Sequence, residues 1–255
     1  MSQRLLWVDA LRGLAIVLMV IFHFCYDLRY FGYVDWHIPN GSSWWPFRYL
    51  ILSLFIFTVG LSLALAHRSH FRRLAYIRRL SQLVLAASAI TVMSLFLFPK
   101  AWIYFGILHF IALASVLCLP FIIKPVFIFK PQGALLIGFF ILIAYNLNWL
   151  SNDWPFDYFS TWLPNDTEDY VPLFPWFGLM LLGVGFGGFI LPFMVSKKMN
   201  SSLKNNNNIE NKLIDLPKNQ WTKAIASLGK HGLLVYLVHQ PVLFAGFYTI
   251  QFFSQ

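Results

Sequence analysis

Seven apolar runs, at about 7–31, 47–66, 76–98, 101–119, 132–148, 172–195 and 229–252, divide this chain. Each is long enough to cross the hydrocarbon core of a bilayer as a helix. A shorter run at 121–129, broken by Lys124, reads as a re-entrant piece and gives eight as the alternative count. The pattern predicts an all-α integral membrane protein, a single bundle of about seven transmembrane helices. It is expected to be one transmembrane domain over 1–255, with a polar, low-complexity cytoplasmic linker at 196–220 that includes an asparagine run at 205–208. No internal repeat is visible at any period, which speaks against an inverted-repeat transporter.

The first run is the most informative, because it carries Asp9, Arg12, His23 and Asp27. At about 100° per residue, Arg12 lies ~20° around the helix axis from His23, and Asp9 and Asp27 lie within ~40° of it. All four therefore share one stripe on an otherwise greasy helix. Charged residues inside a span are costly and tend to mark a site. Composition agrees with the membrane reading: 58% of residues are hydrophobic and 11% are charged, against about a quarter charged in soluble domains. No room remains for a separate soluble domain.

Charge sets the expected orientation. With the N-terminus cytoplasmic, fifteen of the nineteen basic residues fall on the inner side, and Arg29, Arg48 and Lys100 fall outside. The C-terminus is then periplasmic, in a multi-pass protein of a bacterial inner membrane. The net charge of +9 follows from this topology and calls for no nucleic-acid partner. The first run reads as a retained span, since no small-x-small cleavage site follows Phe24. Cys25 and Cys118 lie within spans and read as packing residues, not a disulfide framework.

Candidate chemistry gathers on three intramembrane histidines, His23, His109 and His239, which helix geometry puts at similar depth. His23 and Asp27 are neighbours at i and i+4. A carboxylate on one ring nitrogen would make the other a general base, while the bland alternative is a buried ion pair. Asp9 and Arg12 are expected to pair and to shape the inner mouth of a cavity. No span offers paired ligands at metal spacing, so no metal site is expected. The cytoplasmic arginines Arg68, Arg72, Arg73, Arg78 and Arg79 read either as lipid anchors or as a docking surface for a polyanionic cofactor.

Arg12 lies ~16 Å from His23 along the helix, a distance that an elongated carrier with a charged head and a reactive tip would bridge. Coenzyme A has this shape. The candidate cofactor-binding residues are therefore Arg12, Asp9, Arg72, Arg73, Arg78 and Arg79, with acetyl-CoA or another acyl-CoA as co-substrate. Near the outer boundary Trp36, Trp44, Trp45, Trp149, Trp154 and Trp162 form an interfacial belt or, in part, a stacking platform for a sugar. Trp36, Trp44, Trp45 and Trp176 are the candidate acceptor-binding residues. The nearby acids Asp153, Asp157, Asp166, Glu168 and Asp169 would hold sugar hydroxyls or an amine.

The segment Trp7-Val-Asp-Ala-Leu-Arg-Gly-Leu-Ala, followed by His23, resembles the first span of transmembrane acyltransferases, in which an arginine and a histidine are separated by ten residues. Within that superfamily the chain resembles small bacterial members of the heparan-alpha-glucosaminide N-acetyltransferase catalytic family. Supporting segments are Gly106-Ile-Leu-His-Phe-Ile-Ala, Pro175-Trp-Phe-Gly-Leu-Met-Leu-Leu-Gly and Leu228-Gly-Lys-His-Gly-Leu-Leu-Val-Tyr-Leu-Val-His-Gln-Pro. The resemblance implies transfer of an acetyl or related acyl group from cytoplasmic acyl-CoA to an extracytoplasmic sugar amine or hydroxyl. It implies His23 as the main catalytic residue, oriented by Asp27, with His109 and His239 polarising the thioester or shuttling protons. Two other classes use the same residues: a proton-coupled transporter with a His/Asp path, and an accessory subunit glued by buried polar groups. The lipid bilayer is a partner in every case, and a homodimer is an alternative to the monomer.

Overall fold

The structure, a computed structural model, describes residues 5–38, 43–67, 70–123, 130–152, 154–159, 161–164, 167, 169–190 and 219–253. Among these the chain is all-α apart from one isolated parallel bridge between Phe105 and Tyr170. The helices are α1 (Leu6–Tyr30), α2 (Trp44–Ala66), α3 (Arg73–Leu97), α4 (Ile107–Leu117), α5 (Pro120–Ile123), α6 (Pro131–Asn146), α7 (Trp176–Gly185), α8 (Gln220–Lys230) and α9 (Gly232–Phe253). Of the described helices, α1, α2, α3 and α9 are long and apolar enough to cross a membrane, while α4, α6 and α7 are shorter apolar helices. The protein is thus an all-α, multi-pass membrane protein.

Three of the expected runs are cut shorter, each for a local reason. The run at 101–119 is helical only from Ile107, because the chain before it is held extended. Ser94 Oγ accepts from the Ile103 amide at 2.9 Å, Thr91 Oγ1 donates to the Ile103 carbonyl at 2.8 Å, and Phe105 pairs with Tyr170. The run at 172–195 becomes helical only after Pro172 and Pro175, and α7 then passes into a π-turn at Phe186–Ile190, where two glycines follow Phe186. The last run is broken at His231, between Gly229 and Gly232, which separates α9 from an amphipathic helix, α8. Residues 196–218 of the expected linker lie outside the described residues, as do Lys124 with the rest of 124–129, and Arg68. Asn219 begins the described chain again by capping α8, accepting from the Thr222 amide at 2.8 Å.

The chain forms two compact units, one from residues 1–58 with 208–255 and the other from 59–207, so the boundary falls inside α2. In the first unit α8 lies against the opening turns of α1 with no side chain between the backbones. A Cβ on Gly13 would stand 1.9 Å from the Ile225 carbonyl oxygen, and one on Gly229 would stand 1.9 Å from that of Asp9. Small residues permit this approach, as is common where helices meet in membranes. Beyond α1 the chain reverses at Gly32, whose φ of 78° suits a residue without Cβ. The Tyr33 amide donates to the Leu28 carbonyl at 2.8 Å and the Gly32 amide to that of Arg29 at 3.0 Å, a paired helix stop. Arg29 then ties the returning strand of chain through the Ile38 carbonyl, and Ile38 joins Ile16, Met19, Phe22 and Ile51 in this unit's core.

In the second unit α6 and α7 meet through a reciprocal glycine contact. A Cβ on Gly138 would lie 2.7 Å from the Gly178 oxygen, and one on Gly178 would lie 2.9 Å from the Gly138 oxygen. Asp169 reaches across sequence to accept from the Ile107 amide at 3.2 Å, covering the start of α4.

These contacts predict that Gly13→Ala and Gly229→Ala each cost roughly 2 kcal/mol or more, as overpacked sites do. Melting in detergent should show midpoints lowered by at least about 5 °C. Gly246→Ala, with nothing within 4 Å of the new Cβ, should leave the midpoint unchanged or raise it. Equal behaviour of the three variants would contradict the packing.

Candidate functional site

The polar stripe of α1 resolves into two pairs of groups in the first unit. At its start Arg12 Nη1 bonds Asp9 Oδ1 at 3.4 Å, the expected i,i+3 pair. About three turns further on, His23 and Asp27 do not pair with each other. His23 turns its Nδ1 back to the Met19 carbonyl at 3.0 Å, following the lean of helical side chains toward the N-terminus. Asp27, with none of its surface exposed, instead accepts from Gln240 Nε2 of α9 at 2.9 Å. In the structure the partner of Asp27 is thus Gln240, and that of His23 the Met19 carbonyl. Gln240 is the residue that the spacing argument missed. Its signal was the dipeptide His239-Gln240 just before Pro241 in an apolar run.

His239 meets His23 directly, with ring centroids 4.8 Å apart and planes at 79°. Its Nδ1 lies 2.7 Å from the Tyr236 carbonyl oxygen. A carbonyl can only accept, so both histidines carry their proton on Nδ1 in the neutral form, and both keep the Nε2 lone pair. The Nε2 atom of His239 is buried without a hydrogen-bond partner, as are Asp27 Oδ2 and Gln240 Oε1. Pro241, lacking an N–H, cannot donate to the Leu237 carbonyl, which frees a backbone acceptor within a turn of His239. Three orphaned polar atoms on adjacent helices are expensive in isolation and suit a site that a polar ligand enters.

His109 is spent differently. The Gly106 amide donates to its Nδ1 at 3.3 Å, and its Nε2 lies 3.0 Å from Thr91 Oγ1. Because that hydroxyl gives its only proton to the Ile103 carbonyl, it must accept from His109, whose proton is therefore on Nε2. Both ring nitrogens are committed, Nδ1 to the start of α4 and Nε2 to Thr91 of α3, and the residue belongs to the second unit.

Aromatic rings lead from the histidines to the candidate acceptor residues. Phe22 is 5.7 Å from His23 and 6.0 Å from Trp44, and Trp44 is 5.8 Å from Trp36. Trp36 and Trp45 are exposed and Trp44 is half-buried; Trp45 stacks on Tyr49 at 5.6 Å. Trp176 is buried in the second unit. Of the expected acidic group, Asp169 serves as the α4 cap, and Asp153, Asp166 and Glu168 lie outside the described residues, as does the side chain of Asp157.

Of the candidate cofactor arginines, Arg72 and Arg79 line a cavity of the second unit with His67, while Arg73 and Arg78 do not line it. Burial first, then the guanidiniums of Arg79 and Arg72 and the neighbouring His70, lower the pKa of His67 from its ordinary value. No group of three or more metal-ligating side chains stands together among the described residues.

A family model described as heparan-alpha-glucosaminide N-acetyltransferase, catalytic, matches residues 4–241. No curated protein and no solved structure matches the chain.

The Asp27–Gln240 bond should reveal itself in non-additive stability. Gln240→Leu leaves Asp27 buried without its donor and should cost about 1–3 kcal/mol, while the double variant Asp27→Leu/Gln240→Leu should lose clearly less than the sum of the two single changes. Thermal midpoints of the three variants in detergent measure this, and strict additivity would refute the coupling.

Proposed function

The chain belongs to the heparan-alpha-glucosaminide N-acetyltransferase catalytic family, whose members are acyltransferases acting at a membrane, and we propose that it moves an acetyl or related acyl group from cytoplasmic acyl-CoA to an extracytoplasmic sugar amine or hydroxyl. The observation that carries this reading is the contact of His23 with His239, each with Nδ1–H fixed on a backbone carbonyl and Nε2 left as a lone pair.

In this mechanism Nε2 of His23 takes the proton from the acceptor's hydroxyl or amine as that atom attacks the thioester carbonyl. The C–S bond breaks, and the proton is returned to the departing thiolate, so that acyl-acceptor and free CoA thiol leave. His239 offers a second base beside the first, so a proton can pass between the rings. Gln240 and Asp27 hold α9 against α1 at this level and act as positioning residues. Trp36 and Trp44, joined to His23 through Phe22, form the acceptor's approach. His109, with both nitrogens committed, serves the scaffold of α4. The protein works as one transmembrane domain in the bacterial inner membrane with its N-terminus cytoplasmic, an orientation supported by the distribution of basic residues.

The test is transfer of label from radiolabelled acetyl-CoA by purified protein to a pool of hexosamines and hexoses. His23→Ala should lower transfer at least about 100-fold, the usual scale of a lost general base, with acetyl-CoA binding kept within about threefold. Full turnover in that variant would rule the mechanism out.

A further inference from the structure

A cavity of about 140 Å³ lies in the second unit, lined by residues of α2, α3 and α4. That volume holds several waters and leaves room for a phosphoryl group. Val59, Leu63 and Leu83 supply aliphatic wall, and the polar lining is His67, Arg72, Tyr76 and Arg79 with Ser115.

Each polar group at the loop end is a donor. Arg72 and Arg79 bring two guanidiniums. His67, 8% exposed, accepts from the Arg72 amide on Nδ1 at 3.2 Å, so its proton is on Nε2 and that nitrogen can only donate. Tyr76, 7% exposed, has a hydroxyl that is buried without a hydrogen-bond partner. Arg72 is also the N-cap of α3, where the Arg73 amide donates to the Phe71 carbonyl at 3.2 Å, and Ala75 of the first turn lines the cavity. Among the described residues no acidic side chain lines it. Ser115 on the far wall gives its proton to the Ile111 carbonyl at 2.6 Å.

A pocket lined by two arginines, an imidazole N–H and a phenol, with no carboxylate among its lining residues, suits an oxyanion. We infer that this cavity binds a phosphoryl or pyrophosphoryl group, held between Arg72 and Arg79 with Tyr76 and His67 donating. The inference rests in part on the acyl-CoA reading above, under which the group belongs to the donor. It narrows that reading: Arg73 and Arg78 carry the same charge one residue away from the lining arginines but stand outside the cavity.

Inorganic pyrophosphate titrated calorimetrically into the purified full chain in detergent tests the site without reference to activity. Arg72→Gln and Arg79→Gln should each weaken binding at least about tenfold, while Arg73→Gln and Arg78→Gln change it less than about twofold. Tyr76→Phe, which keeps the packing ring, should weaken binding about two- to fivefold with an unchanged melting midpoint, and it stands in if an arginine variant fails to fold. Displacement of pyrophosphate by CoA and not by short-chain phosphatidylglycerol assigns the group to the acyl donor, and the reverse assigns it to a lipid headgroup; either supports the site. Absence of pyrophosphate binding, or equal losses in all four arginine variants, overturns it. If the binding pattern holds while the wild-type chain transfers no acyl group to any acceptor, the transferase reading falls and the phosphoryl site remains.

Discussion

A carboxyl group with no exposed surface must find a hydrogen bond or lose several kilocalories per mole, and Asp27 has one, from Gln240. Much of the first unit's geometry follows from that requirement. The bond fixes α9 against α1 at a single register, and the residue before Gln240 is His239. Shift α9 by one residue and the two histidines part, because successive helical positions point about 100° apart. The positional accuracy of the imidazole pair is thus inherited from a bond that neither ring makes.

Histidines of one type in one kind of span end in opposite conditions here. For His109 the neighbours supply one donor and one acceptor, so the ring closes a network and has nothing left to offer. For His23 and His239 the neighbours supply carbonyl oxygens alone, which consume a proton donor and leave a base. Chemistry at these positions is decided by what the backbone presents at i−4 and i−3, not by depth in the membrane.

That distinction explains how far the sequence could be read. The spans were legible because apolar length is a one-dimensional property, and α1, α2, α3 and α9 fall close to their expected bounds. The stripe on α1 was legible for the same reason, since 3.6-residue periodicity fixes which side chains share a face. The partner of His23 was not, because i,i+4 proximity says nothing about which group of another helix claims Asp27. Gln240 escaped because its partner is 213 positions away. The start of α8 escaped because an eleven-residue amphipathic helix at the end of a polar stretch gives a weak apolar signal. The arginines of the α2–α3 junction were visible as a charged cluster, but which of them line the cavity depends on the helix phase of α3.

The contact of α8 with α1 has a mechanical consequence. Most helix pairs are separated by side chains, which change rotamer and let one helix slide or roll a little on the other. At Gly13 and Gly229 no such layer exists, and each glycine sits directly under a carbonyl of the opposing helix. There is no compliant material in the joint. The opening turns of α1 and the whole of α8 therefore behave as a single stiff part, and any motion of this unit during turnover has to be taken up elsewhere, at the break at His231 or at the proline of α9.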